Sequence, residues 1–312
     1  PLLPAAGMTA SVLVPRSQVL GAAAFLAGVG SRFFTPQADR LGLGAAGLAI
    51  TALLLYAALR RVTSSADVRH EAARWLGGAT IALTSSAIGL SLENEVLTWG
   101  WAALGLLLTW LASRKRSDAL AVIGVVHLVI ANARVFANPD VLTYHPRGAL
   151  PVLNWITPAF VIPALAAALG WVVLSRIREP DGRKHTLRVV PAAVALVSTF
   201  AWANVVVLDV FSTGSRIAVE AASSQARDLS ISLVWATFGM GLLILGMRRG
   251  TRALRWSSLV LVLATAGKVF LADLRALEDL YRVASLVGLA VSLLGISLLY
   301  QRFVFRARAQ RA

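Results

Sequence analysis

Residues 96–113 read Val-Leu-Thr-Trp-Gly-Trp-Ala-Ala-Leu-Gly-Leu-Leu-Leu-Thr-Trp-Leu-Ala-Ser, opened by Glu93 and Glu95 and closed by Arg114, Lys115 and Arg116. No charge interrupts the segment. It shows neither the alternation of a half-buried strand nor the polar stripe of a surface helix. As a helix it would rise about 27 Å at 1.5 Å per residue, close to the roughly 30 Å of a bilayer's hydrocarbon core. Acids at one end and bases at the other also give it a direction, because basic residues collect on the cytoplasmic side.

The same pattern recurs on both sides of it. Spans are expected at 19–36, 41–60, 71–92, 96–113, 118–136, 155–175, 188–210, 229–247, 253–272 and 282–302. Each is near the length of a membrane helix and continuously apolar, whereas barrel strands would be about half as long and alternating. Composition agrees. Charged residues are 14% of the chain and apolar residues 57%, against about 25% charged in a soluble domain. The expected fold class is all-α: a polytopic integral membrane protein of about ten transmembrane helices. Cysteine is absent, which excludes a disulfide framework, a cysteine zinc site and a thiol nucleophile. There is no HExxH, GxSxG or Walker motif. Gly42-Leu-Gly44-Ala-Ala-Gly47 matches the dinucleotide GxGxxG spacing, but it lies inside a span, where small residues serve close helix packing. No cofactor and no metal are expected.

The formal charge of +15 is explained by topology rather than by nucleic acid. With ten spans, the termini and the even-numbered loops share one side. That side holds Arg60, Arg61, Arg114, Lys115, Arg116, Arg248 and Arg249 among its 21 basic and five acidic residues, against nine basic and ten acidic on the other. The positive-inside rule puts the first side, with the C-terminus, in the cytoplasm. Membrane lipids are then natural partners of these arginines.

The chain also repeats itself. Leu97-Thr98-Trp99-Gly100-Trp101-Ala102-Ala103-Leu104-Gly105 parallels Ile231-Ser232-Leu233-Val234-Trp235-Ala236-Thr237-Phe238-Gly239, at an offset of 134. That offset also sets Arg114-Lys115 on Arg248-Arg249 and Arg134-Val135-Phe136 on Lys268-Val269-Phe270. The expected domains are a partial two-helix repeat over 1–66 and four-helix repeats over 67–187 and 188–312. An even helix count makes such repeats parallel, related by an axis near the membrane normal. Arg32-Phe33-Phe34 takes the equivalent place in the partial repeat. The chain therefore reads as the C-terminal piece of a longer array.

Candidate binding residues follow from depth and charge. Lys268 lies 13 residues beyond Arg255, about 20 Å along the helix, and Arg134 sits near the outer end of its span. Cations at such depth must face protein, water or headgroups. Arg32, Arg134 and Lys268 would line an outward groove for an anionic substrate, or else snorkel and pair structurally. Asn132 and Asn204 are amides in the outer halves of their spans, suited to interhelical hydrogen bonds first and substrate contact second. The longest outer loop, 137–155, carries Asp140, Tyr144, His145 and Arg147 and is the leading candidate for a unit-specific site. Asp273 adds an outer acid. Glu93 and Glu95 are a carboxylate pair for acid–base work or, more simply, solvated ends. His127 stands near mid-membrane without an acidic partner for a proton relay. Trp99, Trp101, Trp155 and Trp235 fit an aromatic belt.

Lys268-Val-Phe-Leu-Ala-Asp273, Leu280-Tyr281-Arg282-Val-Ala-Ser285 and Leu298-Leu-Tyr300-Gln-Arg302-Phe303, with the Trp-containing segment at Leu97–Gly105, resemble a bacterial family of membrane proteins called domain of unknown function 2339. The resemblance is most specific over 228–303. It implies a polytopic protein of the bacterial inner membrane, usually much longer than this chain. It transfers no catalytic residue. Three functional readings stand: binding or translocation of an anionic envelope lipid or glycan precursor, a non-catalytic scaffold or assembly factor, and an outer-leaflet glycosyl or acyl transferase.

Overall fold

A computed structural model of the protein describes residues 38–148, 150–176, 183–212, 214, 217, 224–271, 290, 293, 294 and 297. The described residues form helices and loops and contain no strand. The long helices are α1 (Ala38–Val62), α2 (Ala66–Ser91), α3 (Asn94–Lys115), α4 (Asp118–Ala137), α5 (Ile156–Ser175), α6 (Arg183–Phe211), α7 (Gln225–Arg248) and α8 (Arg252–Leu271), with a short 3-10 turn at Pro139–Leu142.

These helices coincide with the eight spans expected between 41 and 272. The expected span 19–36 lies outside the described residues, and so does nearly all of 282–302. Six of the helices, α1 and α3 to α7, are long and apolar enough to cross a membrane. The other two carry more polar sequence. α2 opens with Asp67, Arg69, His70, Glu71 and Arg74, and α8 contains Arg252, Arg255 and Lys268.

The chain divides into two compact units, Pro1–Pro146 with Trp155–Thr199, and Arg147–Asn154 with Phe200–Ala312. In the first unit α4 packs against α3 and α5 through small residues. A Cβ on Gly105 would stand 2.9 Å from the backbone nitrogen of Leu128, and one on Gly124 would stand 2.8 Å from that of Thr109. Gly170 of α5 admits the Leu128 side chain, with a Cδ1 contact at 2.7 Å from its ideal Cβ. Leu128 and Thr109 are consequently fully buried. Close backbone approach of this kind is how helices associate where no hydrophobic drive separates protein from lipid. Gly42 likewise fits α1 tightly against Ser91, whereas Gly44 and Gly47 meet nothing within 4 Å. In the GxGxxG stretch, then, the first glycine packs a helix pair. Outward faces stay apolar: Leu43, Leu54, Leu233 and Trp256 are each more than 60% exposed, as a lipid-facing surface requires.

The tight turns are set locally. α3 ends at Arg116 in the left-handed region, with φ 51° and ψ 42°, and Ser117 then caps α4 by accepting from Leu120 N. In the second unit Gly250 takes φ 64° at the end of α7. The closing backbone bonds match, Ser117 N to Ala112 O at 3.2 Å and Thr251 N to Gly246 O at 3.1 Å.

Candidate functional site

Arg134 lies in the last turn of α4, where the chain leaves the apolar span. Its Nη1 donates to Asn94 O at 3.0 Å, to Thr98 Oγ1 at 2.9 Å and to Tyr144 Oη at 3.2 Å. The first two acceptors belong to the start of α3, so the guanidinium ties the end of one helix to the beginning of its neighbour. Tyr144 arrives from the loop after the 3-10 turn and also receives a hydrogen bond from Asn138 Nδ2. Three acceptors thus share one nitrogen. Nε and Nη2 of Arg134 have no acceptor among the described residues.

Lys268 occupies the corresponding place in α8. Its Nζ donates to Asp228 O at 3.0 Å and to Ser232 Oγ at 2.8 Å. Both acceptors stand 134 residues after Asn94 and Thr98. The same two positions of a helix start therefore hold the cation in each unit.

Further polar groups gather at this end of the first unit. His145 Nε2 lies 3.0 and 3.2 Å from the carboxylate oxygens of Glu95. His145 is 43% exposed, while Glu95 is only 13% exposed. The rings of Tyr144 and His145 both pack on Trp155, at centroid distances of 6.0 and 5.3 Å. Trp155 Nε1 is buried without an acceptor among the described residues. Asp140 is exposed in the 3-10 turn.

Arg147 belongs to the second unit and is differently employed. Its Nε donates to Asp209 Oδ1 and its Nη2 to Asp209 O, both at 2.7 Å. Asp209 Oδ2 accepts from Val152 N at 3.1 Å and Asn154 Nδ2 at 2.8 Å. Asp209 is 1% exposed, and a carboxylate so buried needs this many donors. The network fastens residues 147–154 to the end of α6.

The remaining candidates are interhelical hydrogen-bonding groups. Asn132 is fully buried, donates to Leu128 O and Pro163 O, and accepts from Ser198 Oγ at 2.7 Å. Asn204 donates to Phe200 O and accepts from Trp235 Nε1 at 2.8 Å. His127 bonds to Ile123 O and to Ser85 Oγ, and both ring nitrogens are satisfied without an acid. Arg32 and Asp273 lie outside the described residues. The structure thus brings Arg134 and His145 to one end of the first unit, with Asp140 on the adjoining turn. Lys268, Asn204 and Arg147 are placed in the second unit.

Thr98 and Ser232 were not among the expected binding residues, and Tyr144 was expected only as part of the 137–155 loop, not as a partner of Arg134. The signal for the first two was present: a hydroxyl residue 36 positions before each cation. The partnership of Tyr144 with Arg134 had no such spacing to mark it. Among the described residues no three His, Cys, Asp or Glu side chains group as metal ligands.

Long apolar helices that pack through glycines and expose apolar faces define an integral membrane protein with several candidate transmembrane helices. The chain belongs to the family described as predicted membrane protein (DUF2339), whose model matches residues 112–303. No curated protein and no solved structure matches it.

Proposed function

We propose that the chain is a multi-pass protein of a bacterial inner membrane that receives the anionic headgroup of an envelope lipid or glycan precursor at its outer end. In this reading the helices form about ten spans in tandem parallel repeats. α2 and α8 cross the membrane with the six more apolar helices, and the C-terminus is cytoplasmic. The matching hydrogen bonds of Arg134 and Lys268, and the matching left-handed residues Arg116 and Gly250, support the repeat. Basic residues close α1, α3 and α7, which supports the orientation.

The observation that carries the binding reading is the polar and aromatic cluster around Arg134. A guanidinium, a tyrosine hydroxyl, a glutamate–histidine pair and an indole with an unmatched N–H meet at one helix end. An unmet buried donor costs about 1–3 kcal/mol, and a polar headgroup would supply acceptors. The test is mass spectrometry of lipids and small molecules co-purifying with the full-length protein, beside an Arg134→Ala variant. A specific anionic lipid or glycolipid lost in the variant supports the reading. An unchanged bulk-lipid profile removes it.

A scaffold without a ligand is the second reading. It is favoured by the use of Arg134 and Lys268 as ties between helix ends, a role that needs no substrate. The same mass spectra separate the two.

A further inference from the structure

Arg134 and Arg147 present the same chemistry in two states. An arginine has two useful edges, and the one formed by Nε and Nη2 fits two oxygens of a single group through parallel N–H···O bonds. Arg147 uses that edge on two oxygens of one residue, Nε on the Asp209 carboxylate and Nη2 on the Asp209 backbone carbonyl, both at 2.7 Å. Arg134 has the other nitrogen, Nη1, fixed by three acceptors from α3 and the following loop. Its guanidinium is therefore held in place while the Nε–Nη2 edge has no acceptor among the described residues. A receptor fixed before its ligand arrives loses little conformational freedom on binding. Of the acids flanking its acceptor Asn94, Glu95 is engaged by His145 and Glu93 has a partner of its own, while Asp140 stands exposed on the turn after α4.

The second unit supplies an internal comparison. Lys268 makes the equivalent tie to Asp228 O and Ser232 Oγ, yet a lysine has no planar fork. The tie alone is thus compatible with either cation, and the arginine of the first unit adds a bidentate edge that the tie does not require.

We propose that the Nε–Nη2 edge of Arg134 is the receptor for a phosphate group, a monoester or diester, bound through two parallel hydrogen bonds. This rests on the outer-end reading above and names its ligand chemistry. The phosphate belongs either to a lipid headgroup or to a free anion.

The test uses the full chain in neutral maltoside micelles and reads the unfolding midpoint. One arm titrates inorganic phosphate against sodium chloride at matched ionic strength and pH. A second arm adds short-chain phosphatidic acid against a neutral monoacylglycerol. Ligand binding to the folded state raises the midpoint with concentration. The parent is expected to respond. Arg134→Lys, which copies the two-acceptor tie of Lys268 and gives up the bond to Tyr144, is expected to lower the ligand-free midpoint slightly and, measured from its own midpoint, to need at least about tenfold more ligand for the same shift. Response to both ligands identifies the phosphate itself, and response to phosphatidic acid alone identifies a lipid headgroup. An Arg134→Lys protein that responds like the parent overturns the proposal. A measurement on the parent chain guards against a variant that fails to fold. Phosphate is expected to protect Arg134 from phenylglyoxal, read by peptide mass spectrometry, and equal modification with and without phosphate counts against the site. If phosphatidic acid shifts parent and variant alike, the headgroup reading survives without Arg134 as its receptor. If neither ligand shifts the parent, both readings fall.

Discussion

The hydroxyl of Ser258 donates to the carbonyl of Gly239 at 2.8 Å, between α8 and α7. The positions 134 earlier are Gly124 and Gly105, where a Cβ on Gly124 would stand 3.0 Å from Gly105 O and 2.8 Å from Thr109 N. One helix crossing thus accommodates a serine, while its counterpart has no room for a methyl group. Gly124→Ser, which copies the second unit into the first, is expected to destabilise by about 1–3 kcal/mol, because the obstructing atoms are backbone. Ser258→Gly should cost only about 1 kcal/mol, the worth of one hydrogen bond. Unfolding midpoints of the purified protein check the order, and a Gly124→Ser protein as stable as the parent would refute the packing argument.

Arg116 holds φ 51° where α3 ends, and Gly250 holds φ 64° where α7 ends. A side chain in the left-handed region costs roughly 1–2 kcal/mol, from which glycine is exempt. Arg116→Gly should therefore raise stability, by about 0.5–1 kcal/mol once the greater freedom of an unfolded glycine is set against the relief. Gly250→Ala should lower it by about 1 kcal/mol. Paired melting curves in the same detergent decide this, and a stability loss in Arg116→Gly would show that the arginine side chain outweighs its backbone strain.

Helices were legible in the sequence wherever an uninterrupted apolar run met charged ends, as at 96–113, which the structure extends to Asn94–Lys115. The offset of 134 was legible because Trp, Gly and basic pairs recur together. It carries through to the bounds of α4 and α8, which begin at Asp118 and Arg252 and end at Ala137 and Leu271. Partnerships were less legible. Glu95 read as half of a carboxylate pair with Glu93 or, more simply, as a solvated end, but its partner is His145, 50 residues away in an irregular loop. Arg147 and Asp209 are 62 residues apart, and no periodicity links a loop residue to a helix end. The polar start of α2 and the cations of α8 keep both below the apolarity of the six other helices, a difference of composition that the sequence itself carries.

Asp209 should prove a sensitive position among the described residues of the second unit. It gathers donors from Arg147, Val152 and Asn154 while almost fully buried. Asp209→Ala would leave the Arg147 guanidinium, itself 15% exposed, without its carboxylate, a loss of about 3–5 kcal/mol for a broken buried pair. Asp209→Asn keeps the shape and some acceptor capacity and should cost less. The local readout is tryptic cleavage after Arg147. Faster cleavage in Asp209→Ala than in Asp209→Asn, and in both than in the parent, is expected. Equal rates in all three would mean that the network does not restrain the loop.

Orientation can be tested directly because the chain has no cysteine of its own. Asp140 is exposed in the turn after α4, and Arg249 is exposed just past the end of α7. The proposed topology, with its basic loops in the cytoplasm, puts these two positions on opposite sides of the membrane. A single cysteine at Asp140→Cys should then react with a membrane-impermeant maleimide in spheroplasts, whose outer face is open to the reagent. Arg249→Cys should react only after lysis. Neither substitution touches the helix packing, since both residues lie outside the buried core. The reverse pattern would invert the topology and carry Arg134 to the cytoplasmic face, where the envelope-headgroup reading has no ligand. Labelling of both positions before lysis in sealed spheroplasts would place the ends of α4 and α7 on the same side, and the parallel-repeat arrangement would have to be abandoned.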